Sequence, residues 1–561
     1  MFFKVGREEA GEACFWHGLV VLCAIVCSSI YFSASSYFSM DDALFHMARI
    51  EGIAEGMRAG IFPVWINGFI LNGYGTPEGI MYPDTLLYIP ALLRLAGMPV
   101  SAAYNGYWIM ITEMAFLSSY YAFAAWSESY RKGALAAVLY NSSFYWSWCN
   151  GICVGACAAM AIFPLTLFGI WSVLCGRQDR WYLTVPGTCI IAQSHVLSVI
   201  FLLAAAGVMI AMHRRRLAEA GRRRALMLAL GFGIVLNLWR LLPMVDFYRR
   251  ILFTINDTEH YFDGVTNTLG YVTFSWQEMF LNHGMWGWPL LGMAVFCLLH
   301  GLGKWRQGRC FYGTICLCLL ITLGMMRCFP WGFLESLPVL GSILPKFQFS
   351  MRFTIWGLVP LAYYLAGYIV DFLGKGQRGR WLTAAVCIFL SLYALYLNFT
   401  MQVYMRDMVF DMRSEYVLIE TPPREGVHSY EDYLYADISF EGLSSRQQGR
   451  DGVLTDAEVL DFSKESSRIR LAYRAESDTE ARLPLFFYPG YAGVLEDGRE
   501  VSVGQTDEHV LTVILPAGEH TVTVWFRGML PYRVAGWVSL AGMAVFGGMV
   551  YVERRRRQFP A

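Results

Sequence analysis

Two adjacent carboxylates, Asp41-Asp42, follow the first long apolar run and precede Ala43-Leu44-Phe45-His46-Met47-Ala48-Arg49-Ile50. If a helix continues there, Asp42, His46 and Arg49 share one face at i, i+4 and i+7. That set has two chemical uses. A carboxylate can take the proton of an incoming hydroxyl as general base, or the Asp41–Asp42 pair can hold a divalent cation, magnesium or manganese, against a phosphate or diphosphate. Arg49 can then grip a phosphate bidentately. A purely structural reading competes, because Asp caps helix N-termini and its charge suits the dipole there.

Other polar residues interrupt apolar stretches. His195 lies deep in one, where ionisable groups are costly and face cavities or partners, although a hydrogen bond between helices also accounts for it. Arg240 and Asp246 lie near one helix end and Arg352 heads another; Arg240 and Arg352 are candidate phosphate ligands, and snorkelling explains them equally well. Glu113 is a candidate buried partner for one of these cations. Asn256-Asp257-Thr258-Glu259-His260 reads as a solvated loop. Cys149, Cys153 and Cys157 recur at i, i+4 and i+8, a spacing open to a thiolate metal site, yet Cys packs as a small hydrophobe in membrane helices and is read so here.

The elements that must position these groups follow from composition. Of 561 residues 56% are hydrophobic and 16% charged, with a mean hydropathy of +0.40, where a soluble domain carries about 25% charged residues. Most of the chain therefore needs lipid as its solvent. Basic and acidic residues balance at 44 each, which argues against nucleic-acid binding, since the phosphate backbone calls for a cationic excess.

Apolar runs near 13–36, 103–125, 133–149, 152–175, 225–247, 285–301, 310–327, 352–373, 381–401 and 532–552 each predict a crossing. Stretch 182–212 would make about 46 Å of helix, too long for one pass. Basic residues flank it on both sides (Arg177 and Arg180; Arg214, Arg215 and Arg216), so it is read as two short passes broken at Pro186-Gly187. That makes about twelve transmembrane helices. Lys4, Arg131, Lys132, the Arg214–Arg224 cluster, Lys304, Lys375 and Arg554–Arg557 then share one side, the cytoplasm by the positive-inside rule, with both termini. Segments 37–102, 248–284, 328–351 and 402–531 are left outside.

Segment 402–531 changes character. Ile469-Arg470-Leu471-Ala472-Tyr473 and Thr521-Val522-Thr523-Val524-Trp525 alternate, with turns at Asp497-Gly498 and Pro516-Ala517-Gly518. Period two with such turns predicts an outward β-sandwich or jelly roll inserted before the last helix. It is expected to position an acceptor without building the donor site; Tyr488, Tyr491 and Trp525 could stack on sugar rings, and at strand spacing they are more often core.

Gly60-Ile61-Phe62-Pro63 and Tyr82-Pro83-Asp84-Thr85-Leu86-Leu87-Tyr88-Ile89-Pro90 break the backbone while remaining apolar and aromatic, as interfacial helices do. Together with Asp41-Asp42 and His46-x-x-Arg49-Ile50, they resemble the GT-C superfamily of membrane glycosyltransferases, which use polyprenyl-phosphate sugars as donors. The nearest resemblance is to the bacterial YfhO-like and 6-pyruvoyl-tetrahydropterin-synthase-related membrane proteins. Ser194-His195 is similar to that group's intramembrane His, and Gln348-Phe349-Ser350-Met351-Arg352-Phe353 resembles its Gln-Phe-Pro-x-Arg-Phe element, with Ser350 in place of the Pro. Phe487-Tyr488-Pro489-Gly490-Tyr491 looks like part of its outer β-domain.

The resemblance implies a GT-C-like catalytic module over 1–401 with outer loop 37–102, an extracytoplasmic β-domain over 402–531, and a final helix with a basic tail over 532–561. It implies transfer of a sugar, with inversion, from a polyprenyl-phosphate donor to a cell-envelope polymer, lipid or protein. Asp41 and Asp42 would be catalytic, Arg49 and Arg352 would bind the donor phosphate, and His46, Tyr82, Asp84, His195 and Gln348 would line the site. Two alternatives stand beside it: a transporter or flippase of lipid-linked sugars, which would need pseudo-symmetric halves that the sequence lacks, and a non-catalytic glycan-binding membrane scaffold.

Overall fold

A computed structural model describes residues 7–37, 41–83, 85–150, 153–256, 273–275, 277, 279, 285–300, 307–347, 349–409, 416–427, 430–438 and 449–558. It is mostly helical, with a separate β-sheet region near the C-terminus.

The first half contains α1 (Arg7–Ser28), α2 (Asp41–Arg58), α3 (Glu78–Met81), α4 (Tyr88–Leu95), α5 (Val100–Ser127), α6 (Tyr130–Asn141), α7 (Phe144–Cys149) and α8 (Val154–Leu174). Helix α5 packs on both α6 and α8. Trp108, Phe116, Phe123, Leu135 and Tyr140 are fully buried there. The expected single run 133–149 divides at Ser142-Ser143, because the Ser143 hydroxyl accepts the Trp146 N–H at 3.2 Å and starts a new helix.

Stretch 182–212 forms α9 (Thr184–Ala192) and α10 (Val196–Met212). The break lies at Gln193-Ser194-His195, not at Pro186-Gly187 as the sequence suggested. Pro186 occupies the first turn of α9, where its missing N–H leaves no helical bond unmade. Helices α11 (Ala220–Val235) and α12 (Leu238–Arg250) meet at a 61° bend.

Next come α13 (Trp288–His300), α14 (Gly308–Gly324), α15 (Trp331–Glu335), α16 (Leu340–Ile343), α17 (Thr354–Leu373), α18 (Gly376–Val409) and the last helix, α19 (Leu530–Gln558). Among the described residues five helices are long and apolar enough to cross a membrane, and the bent α11–α12 pair would make a sixth. Of the other expected crossings, α10, α13 and α14 are shorter apolar helices. Helix α5 has the length, but Asn105, Thr112, Glu113 and several Ser and Tyr residues lower its hydropathy.

Short strands β1 (Ser36–Tyr37) and β2 (Tyr416–Val417) pair antiparallel. Then follow β3 (Leu454–Thr455), β4 (Glu458–Glu465), β5 (Arg468–Ala475), β6 (Thr479–Phe486), β7 (Tyr491–Leu495), β8 (Glu500–Val501), β9 (Val503–Gln505), β10 (Val510–Leu515) and β11 (Gly518–Phe526). They make two sheets, β3-β6-β10-β9 and β4-β5-β11-β7-β8, with every pairing antiparallel. Alternation along β5 and β11 buries Ile469, Leu471, Tyr473, Val522 and Val524, facing Leu483, Leu511 and Val513 of the other sheet. Tyr491, at the start of β7, is buried as strand spacing suggested; Tyr488 is buried too, but between β6 and β7, outside either strand, and Trp525, which alternates with buried Val524 and Phe526 along β11, is only half-buried.

This β-domain grips the loop between α2 and α3. Phe486 N–H donates to the Tyr74 carbonyl at 3.0 Å, and the Lys464 ammonium donates to the Gly73 and Pro484 carbonyls at 2.8 and 2.7 Å. Arg468 donates to the Ala59 carbonyl at 2.9 Å. A Cβ on Gly68 would overlap the Ser466 carbonyl in the β4–β5 turn, so only glycine allows this approach.

Candidate functional site

Helix α2 begins at Asp41 and runs through Arg58, so the expected face forms. Asp42 stands in its first turn, at the positive end of the helix. Four residues after Asp42, His46 is buried, and its Nδ1 lies 3.3 Å from an Arg49 nitrogen. The guanidinium must donate, so Nδ1 accepts and the ring proton sits on Nε2. Burial, aided by the Arg49 charge, holds His46 well below the usual imidazole range and keeps it neutral.

Arg49 is 2% exposed. One of its nitrogens donates to the Tyr82 carbonyl at 2.9 Å and the Pro83 carbonyl at 3.3 Å. Its guanidinium carbon stands 4.2 Å from the Tyr82 ring centroid and 5.6 Å from that of Phe45. Nε has no hydrogen-bond partner, and among the described residues no carboxylate comes within salt-bridge distance.

Tyr82 links this group to the second half of the chain. Both Asp42 and Arg352 lie within electrostatic reach of its hydroxyl, which burial pushes up to about 12. The same hydroxyl would meet a Cβ on Gly155 at 3.3 Å, so the start of α8 presses closely on it. Arg352 donates to the Phe347 carbonyl at 3.1 Å, stands over the Phe349 ring, and reaches His195 and Cys153 electrostatically. His195 occupies the break before α10, with Nδ1 2.8 Å from the Ser198 hydroxyl; that bond lies within the start of its own helix and does not bridge two helices.

Asp42, His46, Arg49, Tyr82, His195 and Arg352 therefore converge. The side chain of Asp41, all of Asp84 and Gln348, and the 257–260 part of the acidic loop lie outside the described residues. Glu113 stands beside Ser28 of α1, away from the arginines it was considered to pair with.

Several members of the site were not read from the sequence. Glu78 is buried, and its Oε2 accepts from the Asn67 amide at 2.8 Å. Its Oε1 has no hydrogen-bond partner, while the Thr76 hydroxyl stands near without meeting it in bonding geometry. Burial raises the carboxyl to about 7 against the lowering effect of Arg49. Arg240 also belongs here, which corrects the snorkelling reading: it is 4% exposed, stacks on Trp65 and Trp239 at 5.3 and 4.8 Å, and lies within electrostatic reach of Arg49. The β-domain reaches the same place, against the expectation of separable parts. Tyr488 meets the Gly75 carbonyl at 3.5 Å and lies within electrostatic reach of Glu78.

Among the described residues no three His, Cys, Asp or Glu side chains come together in metal-ligand geometry. The Asp41 side chain, half of the pair that would hold magnesium or manganese, lies outside those residues, and no step below runs through a metal.

No family model and no curated protein matches the chain. Among the solved structures that overlap it, two with low scores are archaeal oligosaccharyltransferases. One is the oligosaccharyltransferase of Archaeoglobus fulgidus in the apo form, at 12% identity and a TM-score of 0.34, covering 70% of this chain and 56% of that one. The other is the archaeal oligosaccharyltransferase AglB from Archaeoglobus fulgidus in complex with an inhibitory peptide and a dolichol-phosphate, at 11% identity and a TM-score of 0.33, with the same coverage. The chain thus spans little more than half the length of either. At such scores the overlap assigns neither fold nor function, and the chemistry is argued from the residues themselves.

Proposed function

We propose that the protein is a membrane glycosyltransferase that moves a sugar from a polyprenyl-phosphate donor to an extracytoplasmic acceptor, a cell-envelope polymer, lipid or protein. The observation that carries this reading is Arg49, a buried guanidinium with no carboxylate in salt-bridge contact among the described residues. Burying a guanidinium costs several kcal/mol; two carbonyls, two rings and the more distant Glu78 carboxyl offset part of that cost, and an anionic ligand would offset more. The helix that carries it begins with the carboxylates needed to activate a hydroxyl, and the site lies among apolar helices where a lipid tail could run.

In the proposed reaction the donor phosphate lies against Arg49, with Arg352 and Arg240 adding positive potential. Asp42 accepts the proton of the acceptor hydroxyl, with Asp41 as the alternative base. The acceptor oxygen then bonds to the anomeric carbon, and the bond to the phosphate oxygen breaks with its electron pair on that oxygen. A single displacement inverts the anomer. The phosphate gains negative charge as the bond breaks, so the arginines stabilise the transition state more than the bound donor. His46 stays neutral and holds the Arg49 guanidinium in place. The site-bearing segments face outward and both termini are cytoplasmic in this reading.

The test is turnover by the full-length chain in nanodiscs carrying a bacterial envelope lipid extract, followed by lipid mass spectrometry. Acceptor-dependent conversion of a polyprenyl-phosphate sugar to polyprenyl phosphate is expected. Failure to consume any polyprenyl-phosphate sugar under conditions where the chain remains folded would overturn the assignment.

A further inference from the structure

Glu78 is an unusual neighbour for an anion site. It lies at the first residue of α3, buried, one oxygen held by Asn67 and the other without a partner. Arg49 faces it from α2 and Tyr488 from the β-domain, while Arg240 of α12 lies within reach of Arg49, and α3 packs on α12. No basic residue approaches Glu78 closely enough to form a salt bridge among the described residues. A carboxyl so placed is poised to change protonation when the charge beside it changes.

The proposed reaction changes that charge. The donor is a phosphodiester carrying one negative charge; the product is a phosphate monoester, which carries close to two above its second pKa of about 6. We propose that Glu78 compensates this change, binding a proton when a monoester dianion occupies the arginine site and releasing it when a diester monoanion does. This deepens, and rests on, the lipid-phosphate reading.

The balance is complete. The acceptor hydroxyl loses its proton to Asp42, which returns it to solvent; the phosphate oxygen keeps the electron pair of the broken bond; and Glu78 takes one proton from solvent as the second phosphate charge appears. When the product leaves and a new donor binds, Glu78 returns that proton. The buried cluster keeps the same total charge before and after transfer. Glu78 thus acts as a positioning and charge-balancing residue, without contacting the reacting carbon.

The test is calorimetric titration of the full-length chain in nanodiscs with farnesyl phosphate, a monoester, and with its methyl diester. Each is run at pH 8 in two buffers of different ionisation enthalpy, with wild type and with Glu78→Gln. At pH 8 the free monoester is already a dianion, so any proton taken up belongs to the protein. Monoester binding should take up more than about half a proton in wild type and close to none in the variant, while the diester, with half the charge, takes up clearly less in wild type and close to none in the variant. A carboxyl at about 7 also limits the gain from removing its charge, so Glu78→Gln should bind the monoester up to about tenfold more tightly than wild type at pH 8 and no more tightly at pH 6. Binding without a Glu78-dependent proton overturns this proposal alone. Failure of wild type to bind either lipid overturns the lipid-phosphate reading and this proposal with it.

Discussion

The guanidinium carbon of Arg49 stands 4.2 Å from the centroid of the Tyr82 ring, and an Arg49 nitrogen donates to the Tyr82 carbonyl at 2.9 Å. One residue thus holds the cation by both its ring and its backbone. Because Tyr82 also lies within reach of Asp42 and Arg352, the two halves of the site meet across a single aromatic side chain.

Arg49→Ala should weaken binding of farnesyl phosphate by about 1.5–3 kcal/mol, the range for charge-assisted hydrogen bonds. Arg49→Lys should recover only part of it, since an ammonium cannot reproduce the fork that spans His46 and the Tyr82 and Pro83 carbonyls. Equilibrium binding in nanodiscs checks both; unchanged affinity in Arg49→Ala would move the phosphate elsewhere.

Gly68→Ala places a Cβ into the Ser466 backbone. Overpacking of this kind costs about 1–3 kcal/mol, and here it should loosen the β-domain from the loop that carries Asn67. Faster proteolysis between residues 449 and 529, with weaker farnesyl phosphate binding, is expected. Proteolysis that accelerates while lipid affinity stays at the wild-type value would show that the β-domain does not support the donor site.

How much of this was legible in the sequence varies with the range of the contact. The Asp42, His46 and Arg49 face depends only on helical spacing, and α2 delivers it. The alternation of Ile469, Leu471 and Tyr473 likewise predicted strands. For Arg240 the sequence could not decide between phosphate ligand and snorkelling, because its burial against Trp65 depends on a loop more than a hundred residues away. Glu78 was missed for the same reason: its significance comes from Asn67 and Arg49, neither at a helical or strand spacing from it. A local signal did exist, since Glu78 and Asp84 are the charged residues in an otherwise uncharged stretch from Phe62 to Leu93. The break at Ser194-His195 was misplaced because a Pro near a helix start is permissive, not disruptive.

Lys464 is buried against two carbonyls, and burial lowers its ammonium from 10.5 to about 7. Between about pH 7 and 10.5 the unfolded chain therefore binds the proton that the folded chain lacks, so stability rises with pH across that window, by up to about 1.4 kcal/mol per unit. The melting temperature of the β-domain should increase from pH 7 to pH 9 in wild type and lose that slope in Lys464→Met. An equal slope in both proteins would place the titrating group elsewhere.

Whether the carboxylates at the start of α2 serve a sugar transfer outside the cell is tested by mass spectrometry of envelope glycans from the source organism with the gene deleted, then restored as wild type, as Asp42→Asn or as Asp41→Asn. One sugar should disappear on deletion and return with wild type. With at least one of the two variants it should return at no more than about 1% of the wild-type rate, since loss of a general base costs about 10²-fold or more. Glycans unchanged by deletion, or fully restored by both variants present at wild-type levels in the membrane, would overturn the assignment.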